Sequence, residues 1–313
     1  MTNKITVYSI AMIISFLSFS SHAQQDPQFT QYMYNMSVVN PAYALDDDTN
    51  INLGLLYRSQ WVGSVGGPTT GTFFGHTKLT DRLEGGISIV HDEIGDVVKQ
   101  TSTYADIAYV IPVGLNSKLS FGIKAGATFF STNFDGFSFS DQVNEDPAFS
   151  ENINRTFPNI GAGLYYFSEK YYLGLSAPNL LQSKHLKDES GVFSEASENI
   201  HLFFTGGYVF NLNDNLKFKP AFMTKYVNNA PLSIDLTANV LMYDKLEFGL
   251  GYRYDDSITG MMNFSISSAI RIGYAYDYTL TNLGEFNSGS HEVFLLFNIE
   301  KFGKGYDKSP RFF

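Results

Sequence analysis

His91-Asp92-Glu93 and Ser290-His291-Glu292 set an imidazole beside carboxylates, the pairing that general acid–base chemistry uses. The first sits at the end of a strand-like run and the second opens one. Neither carries a nucleophile motif of known geometry, and a strand-end residue is the plainer reading of His91. Asp46-Asp47-Asp48 gathers carboxylates of the kind a hard Ca²⁺ ion takes. Runs of this sort more often form a solvated loop, and Asp255-Asp256 reads the same way. The chain has no cysteine, which excludes disulfides, thiolate metal sites and a lipidated N-terminal Cys. It shows no glycine-rich phosphate loop and no histidine pair at metal spacing. A formal charge of −10 argues against nucleic acid, whose phosphates call for Lys and Arg. The expectation is a protein without catalysis, cofactor or metal.

The elements that would position such residues begin after a leader. Lys4 precedes an apolar run from Ile5 to Phe19, and Ser21-His22-Ala23 supplies the small residues of a signal-peptidase site. The run is shorter than the roughly twenty apolar residues a membrane helix needs. Residues 1–23 therefore read as a signal peptide cleaved after Ala23.

From residue 51 to the end the dominant signal is period two. Leu246, Phe248, Leu250, Tyr252 and Tyr254 share one face, and Glu247, Gly249, Gly251, Arg253 and Asp255 the other. Ile270, Ile272, Tyr274, Tyr276 and Tyr278 oppose Arg271, Gly273, Ala275 and Asp277 in the same way. Alternation alone also fits a soluble β-sandwich. The runs, however, are about nine to twelve residues long, as tilted membrane strands require, where soluble strands average about five or six. Their apolar faces end in Tyr or Phe, as an interfacial girdle does. Their polar faces mix both charges with Gly and Ser, as a lumen does.

The expected fold is all-β: a transmembrane antiparallel barrel of about fourteen strands. They are placed near 51–61, 68–79, 83–92, 100–112, 117–130, 156–167, 170–177, 199–211, 215–227, 230–243, 244–255, 258–266, 267–279 and 290–300. Short links such as 213–215 and 116–117 read as periplasmic turns, and 131–155 and 178–198 as outward loops.

Residues 24–50 follow neither period, and Asn40-Pro41 breaks any regular element. Phe29, Tyr32, Met33, Tyr34, Met36 and Tyr43 make the stretch too apolar for a free tail. It caps one barrel end or tucks into the lumen as a plug. The lumen face carries Arg58, Lys124, Lys217, Lys219, Lys225, Asp235, Glu247, Arg253, Asp255, Arg271 and Asp277. An open selective pore more often shows one sign, so a braced, largely occluded lumen is expected.

Gln25-Asp26-Pro27-Gln28-Phe29-Thr30-Gln31-Tyr32-Met33-Tyr34-Asn35, with Asn40-Pro41-Ala42-Tyr43, resembles the opening of the PorP/SprF family of the Bacteroidota type IX secretion system. Tyr57-Arg58-Ser59-Gln60-Trp61-Val62-Gly63 resembles its first hairpin, Leu250-Gly251-Tyr252-Arg253 and Ile272–Tyr278 its later strands, and Ser309–Phe313 its ending. Leu45 departs from the family's usual Gly. The resemblance implies an outer-membrane barrel, residues 51–313, that serves type IX secretion and, in many relatives, gliding motility. It implies as partners the secretion and motility machinery, a cognate secreted adhesin with a C-terminal sorting domain, and outer-membrane lipid. Gln31, Tyr32, Asn35, Asn40, Pro41, Ala42 and Tyr43 form its candidate partner-binding or plug motif. The competing expectation is a passive diffusion channel or small-hydrophobe transporter.

Overall fold

The structure, a computed structural model, describes residues 27–45, 50–134, 152–181, 199–228 and 230–300. The expected leader, Asp46-Asp47-Asp48 and the terminal motif lie outside these residues.

Fourteen antiparallel staves form one closed sheet. They are β1 Asn50–Ser59, β2 Thr69–Lys78, β3 Leu83–Ile94, β4 Val98–Pro112, β5 Ser117–Thr132, β6 Asn154–Ser168 and β7 Tyr171–Ala177. β8 comes in two pieces, His201–Tyr208 and Phe210–Asn213. β9 Leu216–Val227, β10 Ser233–Met242, β11 Leu246–Arg253, β12 Ser257–Ser265, β13 Ile270–Thr279 and β14 Ser290–Glu300 complete the wall. Each stave pairs with its neighbour in sequence. β14 then pairs with β1 from Asn50↔Glu300 to Ser59↔His291, closing the ring.

The expected strand at 199–211 is thus divided at Val209, and its partner explains why. The register Ala221↔Gly207 and Phe218↔Phe210 sets Pro220 opposite Tyr208, and Pro has no N–H to give the ladder. On the other edge the Val209 amide donates to the Lys170 carbonyl at 2.6 Å, continuing the pairing with β7 one residue past Tyr171↔Tyr208. Several other staves end short of their expected limits, and the extra residues form the turns. Asp255, expected on the lumen face, is an exposed turn residue with φ 55°.

Closure settles the choice between barrel and sandwich, because the wall is polar inside and apolar outside. Ile123 is 64% exposed and Leu250 70%, while Lys124, Glu247 and Asp277 point inward and are buried. Among the described residues no helix is long and apolar enough to cross a membrane. With all ladder groups paired around a ring, strands can do so. Outward aromatics collect in two belts. Tyr166, Tyr171, Tyr208 and Phe210 lie at the end carrying the short turns, with Tyr208 and Phe210 rings 4.5 Å apart. Tyr57, Tyr226, Tyr252 and Tyr278 lie at the opposite end, which carries the longer loops. Such belts sit where lipid meets water.

Inside the ring run residues 27–45. A 3-10 turn, Tyr32–Tyr34, and one helical turn, Met36–Val39, give them compact local structure. Tyr32, Gln31 and Ala42 are fully buried. The wall makes room with glycines. A Cβ on Gly122 would stand 2.2 Å from the Pro41 carbonyl oxygen, and one on Gly163 2.1 Å from Asn40 Oδ1. Nothing lies within 4 Å of the lipid-face position at Gly260. Gly122→Val should therefore destabilise the barrel by about 2 kcal/mol through overpacking, while Gly260→Val stays neutral. Guanidinium unfolding in liposomes, with the heat-dependent gel shift of a folded barrel as control, checks the contrast.

Candidate functional site: the filled lumen

The inner segment is fixed to the wall at four places, taken here from the loop end towards the turn end. At the loop end, Arg253 donates to Asp235 at 2.5 Å, to Asp256 at 3.2 Å and to the Gln28 side chain at 3.3 Å.

Next to it lies a denser knot. Glu292 accepts the backbone N–H of Thr30 at 2.8 Å on one oxygen and that of Gln31 at 2.7 Å on the other. Arg58 lies 2.8 Å from Asp277 and 3.4 Å from Glu292. The Thr30 hydroxyl accepts from Arg58 and donates to Asp277, each at 2.6 Å. Thr259 donates to the other Asp277 oxygen at 2.6 Å. Four staves thus meet on two consecutive residues of the inner segment. Buried carboxylates remain ionised only with such compensation.

Deeper, the Tyr34 hydroxyl donates to Glu247, which also accepts from Asn239. Arg271 reaches the Tyr34 hydroxyl at 3.1 Å and Glu247 at 3.5 Å. Lys219 and Arg271 flank the Tyr34 ring at 5.5 and 5.6 Å, cation–π distances, and Phe294 packs on it at 4.5 Å.

The fourth place is the Asn40-Pro41-Ala42-Tyr43 turn. Asn40 Oδ1 accepts the Ala42 amide at 2.9 Å, an Asx turn, while its Nδ2 donates to the Leu164 carbonyl at 3.0 Å. Tyr43 then packs edge-on against Tyr165 at 5.5 Å and near His76 at 5.9 Å. Past the turn, the Leu45 amide donates to Glu84 at 2.9 Å, and Glu84 also holds His76 at 2.9 Å.

Of the residues singled out in the sequence, Gln31 (through its backbone amide), Asn40, Pro41, Ala42 and Tyr43 sit among these contacts, Tyr32 is fully buried beside them, and Arg58, Asp235, Glu247, Arg253, Arg271 and Asp277 line the wall around them. Lys124 lies over the Tyr104 ring at 4.1 Å, and 3.4 Å from the Val38 carbonyl. The side-chain amides of Gln31 and Asn35 are buried without a hydrogen-bond partner among the described residues. Lys217 lies apart, paired at the turn end with Asp244 at 2.7 Å.

Sequence reasoning missed Glu84 and the role of Glu292. The latter lies opposite Arg58 in the closing register, and its buried side chain shares the lumen face with it. Its neighbourhood in Ser290-His291-Glu292 suggested chemistry instead. The strand separates that trio: Ser290 and Glu292 are buried inside, whereas His291 turns outward to the Tyr274 hydroxyl at 2.7 Å. His91, Glu93 and Lys99 likewise form an exposed outer cluster, away from inward-facing Asp92. No group of three or more metal-ligating side chains gathers among the described residues.

A closed, lipid-facing barrel with an inward-folded N-terminal segment defines the class: an outer-membrane β-barrel. The model of the type IX secretion system membrane protein PorP/SprF family matches residues 21–297, and the chain belongs to that family. No curated protein matches it significantly. Among solved structures, the Pseudomonas putida toluene transporter TodX aligns with a TM-score of 0.51 at 11% identity, covering 91% of this chain and 96% of its own. The CymD monoaromatic hydrocarbon channel aligns with a TM-score of 0.50 at 11% identity, covering 84% and 91%. At such identity the likeness concerns the fold alone.

Glu292→Gln keeps the volume but loses the charge facing Arg58 and offers an N–H towards a backbone N–H. It should cost about 3 kcal/mol, as breaking a buried pair does. Tyr34→Phe should cost about 1–2 kcal/mol by leaving Glu247 short of a donor. His291→Ala should change stability by less than about 1 kcal/mol. Denaturant midpoints in liposomes measure all three.

Proposed function

We propose that this barrel is a non-enzymatic component of the type IX secretion apparatus that docks machinery or a cognate secreted adhesin at its two rims. Family membership supports the secretion setting. The observation that carries the docking reading is the inner segment, held at four places across the lumen by buried charges. A lumen filled in this way acts as a plug and offers no route for a folded protein, which leaves the rims as working surfaces. In this reading the short-turn end faces the periplasm, where motor and lipoprotein-ring partners of secretion and gliding would meet it. The loop end faces outward, towards a secreted adhesin carrying a C-terminal sorting domain.

The second reading, a diffusion channel or hydrophobe transporter, gains a fold precedent from the two hydrocarbon-transporting barrels. It requires a continuous path through the lumen. Planar-bilayer recordings separate the two. The intact chain should stay near the baseline of bare lipid, and a chain lacking residues 27–45 should conduct as an open pore. Porin-like conductance of the intact protein would remove the plug. In cells, deletion should abolish export of at least one sorting-domain protein, and pull-down of the barrel should recover a machinery subunit or that adhesin. Unchanged secretion and gliding would sink the docking reading.

A further inference from the structure

Four connections at the loop end, on the side where the ring closes, join into one ridge. They are residues 60–68 after β1, 95–97 after β3, 254–256 after β11 and 280–289 after β13. The β1–β14 pairing outlasts its staves. Val62 donates to the Gly289 carbonyl at 2.8 Å and accepts the Ser288 amide at 2.7 Å. The Ser64 hydroxyl donates to the Phe286 carbonyl at 2.8 Å, and the Ser290 hydroxyl accepts the Trp61 amide at 3.1 Å. The Leu280 amide donates to the Asp256 carbonyl at 2.8 Å, which ties in a third connection. A Cβ on Gly95 would stand 3.5 Å from the Gly66 Cα, so the fourth packs directly on the first. Within 280–289, Asn287 accepts the Gly289 amide at 2.7 Å and the Thr279 hydroxyl at 3.1 Å. Trp61 holds a left-handed φ of 52°, which a bulky residue rarely adopts.

This ordered ridge keeps apolar side chains in the open. Val65 is fully exposed, Phe286 is 70% exposed, and Val62, Leu280 and Leu283 are exposed beside them. Single exposed apolar residues call for no explanation, but a contiguous set on a fixed backbone marks an interaction surface. Its shape is set before any partner arrives, which lowers the entropy lost on binding. Charge then narrows the partner. The four connections hold Asp96, Asp255, Asp256 and Glu285 and contain no Lys, Arg or His. Arg253 holds Asp256 at 3.2 Å, while Asp96, Asp255 and Glu285 are exposed. Basic groups on the adjoining stave ends are engaged elsewhere. Lys99 and His91 meet Glu93 at 2.9 and 3.1 Å, His291 meets the Tyr274 hydroxyl, and Arg58 is buried in the lumen. Three exposed acids therefore border the apolar set. A second copy docked ridge to ridge would bring like charges together, and an anionic head group would be repelled too. A protein segment with apolar and basic side chains is complementary on both counts.

We propose that this ridge docks a partner protein through a segment combining apolar side chains with Lys or Arg, Val65 and Phe286 being its anchors. The assignment rests on the docking reading above and gives it a place on the loop-end rim and a partner chemistry.

The test is photo-crosslinking in the native cell, using the full chain with p-benzoylphenylalanine in place of Val65 or Phe286. Both positions should give an adduct with the same protein, and the crosslinked peptide, sequenced by mass spectrometry, should be apolar and carry net positive charge. Leu115, exposed in a turn at the opposite end, should not give that adduct. With the probe at Phe286, combined D96K, D255K and E285K should lower the yield about tenfold, as three opposed surface pairs would. Val65→Ser should lower it to a similar degree, as loss of an anchor does. The heat-dependent gel shift should be unchanged in each, since the altered side chains are exposed. No protein adduct, an adduct only with lipid or a second copy of this chain, or a yield indifferent to charge reversal would overturn the ridge. Should the triple variant fail to fold, Val65→Ser and the sequence of the crosslinked peptide decide. Loss of secretion on deletion without a ridge adduct would refute the ridge and leave docking to the other rim. The expected adduct with unchanged secretion would sustain the ridge and refute the secretion role.

Discussion

The seating of the inner segment depends on Glu292. A carboxylate inside a barrel wall loses its hydration, a penalty of several kcal/mol that attraction offsets only with good geometry and full hydrogen bonding. Glu292 obtains both from different directions. Arg58 stands opposite it across the β1–β14 seam, and the Thr30 and Gln31 amides cover its two oxygens. The seam that closes the ring is thus also the anchor of the segment within it. A chain that failed to pair β14 with β1 would lose the cross-strand partner of Glu292. One with nothing in the lumen would leave the same carboxylate without its two backbone donors. Closure and filling support each other through one side chain.

The same logic repeats with different chemistry down the lumen. Glu247 is covered by a tyrosine hydroxyl and an asparagine amide, and Glu84 by a histidine and a backbone amide. Glu292, Asp277, Glu247 and Glu84 each meet both a wall partner and a group from the inner segment. That accounts for the mixture of signs on the lumen face. Like charges would repel across a narrow interior, whereas here each acid needs a nearby cation or donor to remain buried. Glycine solves the steric half of the problem. At Gly122 and Gly163 the wall yields its side chains so that the Asn40-Pro41 turn can lie directly on the strand backbone.

The barrel was legible in the sequence to the extent that lipid and lumen impose opposite demands on successive residues. Leu246 to Arg253 shows the rule plainly, and every residue of that stave faces the side its polarity indicates. Boundaries were less legible, because a turn residue such as Asp255 continues the alternation after the backbone has left the strand. The break at Val209 depends on Pro220 in the next stave, a relation visible only once the register is known. Residues 27–45 were the hardest to read. Their conformation is set by partners some 40 to 260 positions away, as with Leu45 to Glu84 and Thr30 to Glu292, and no local period records such distances. Proximity along the chain also misled. Ser290-His291-Glu292 looked like a catalytic cluster because it is contiguous, and period two is what sends its histidine to the opposite face.

The fold likeness to hydrocarbon transporters and the membership of a secretion family are compatible once wall and lumen are considered separately. A membrane barrel is constrained on its outer face by lipid and along its ladders by the need to pair every backbone group. Those demands are shared by unrelated barrels, so chains with 11% identity can align over most of their lengths. The lumen carries no such demand. What fills it is decided by a small set of inward side chains, here Arg58, Glu84, Glu247, Asp277 and Glu292, acting on one segment of the same chain. Function on this scaffold therefore follows from the inward residues and the two rims, and the outer wall does not specify it. In this chain the inward residues are engaged with each other and with residues 27–45.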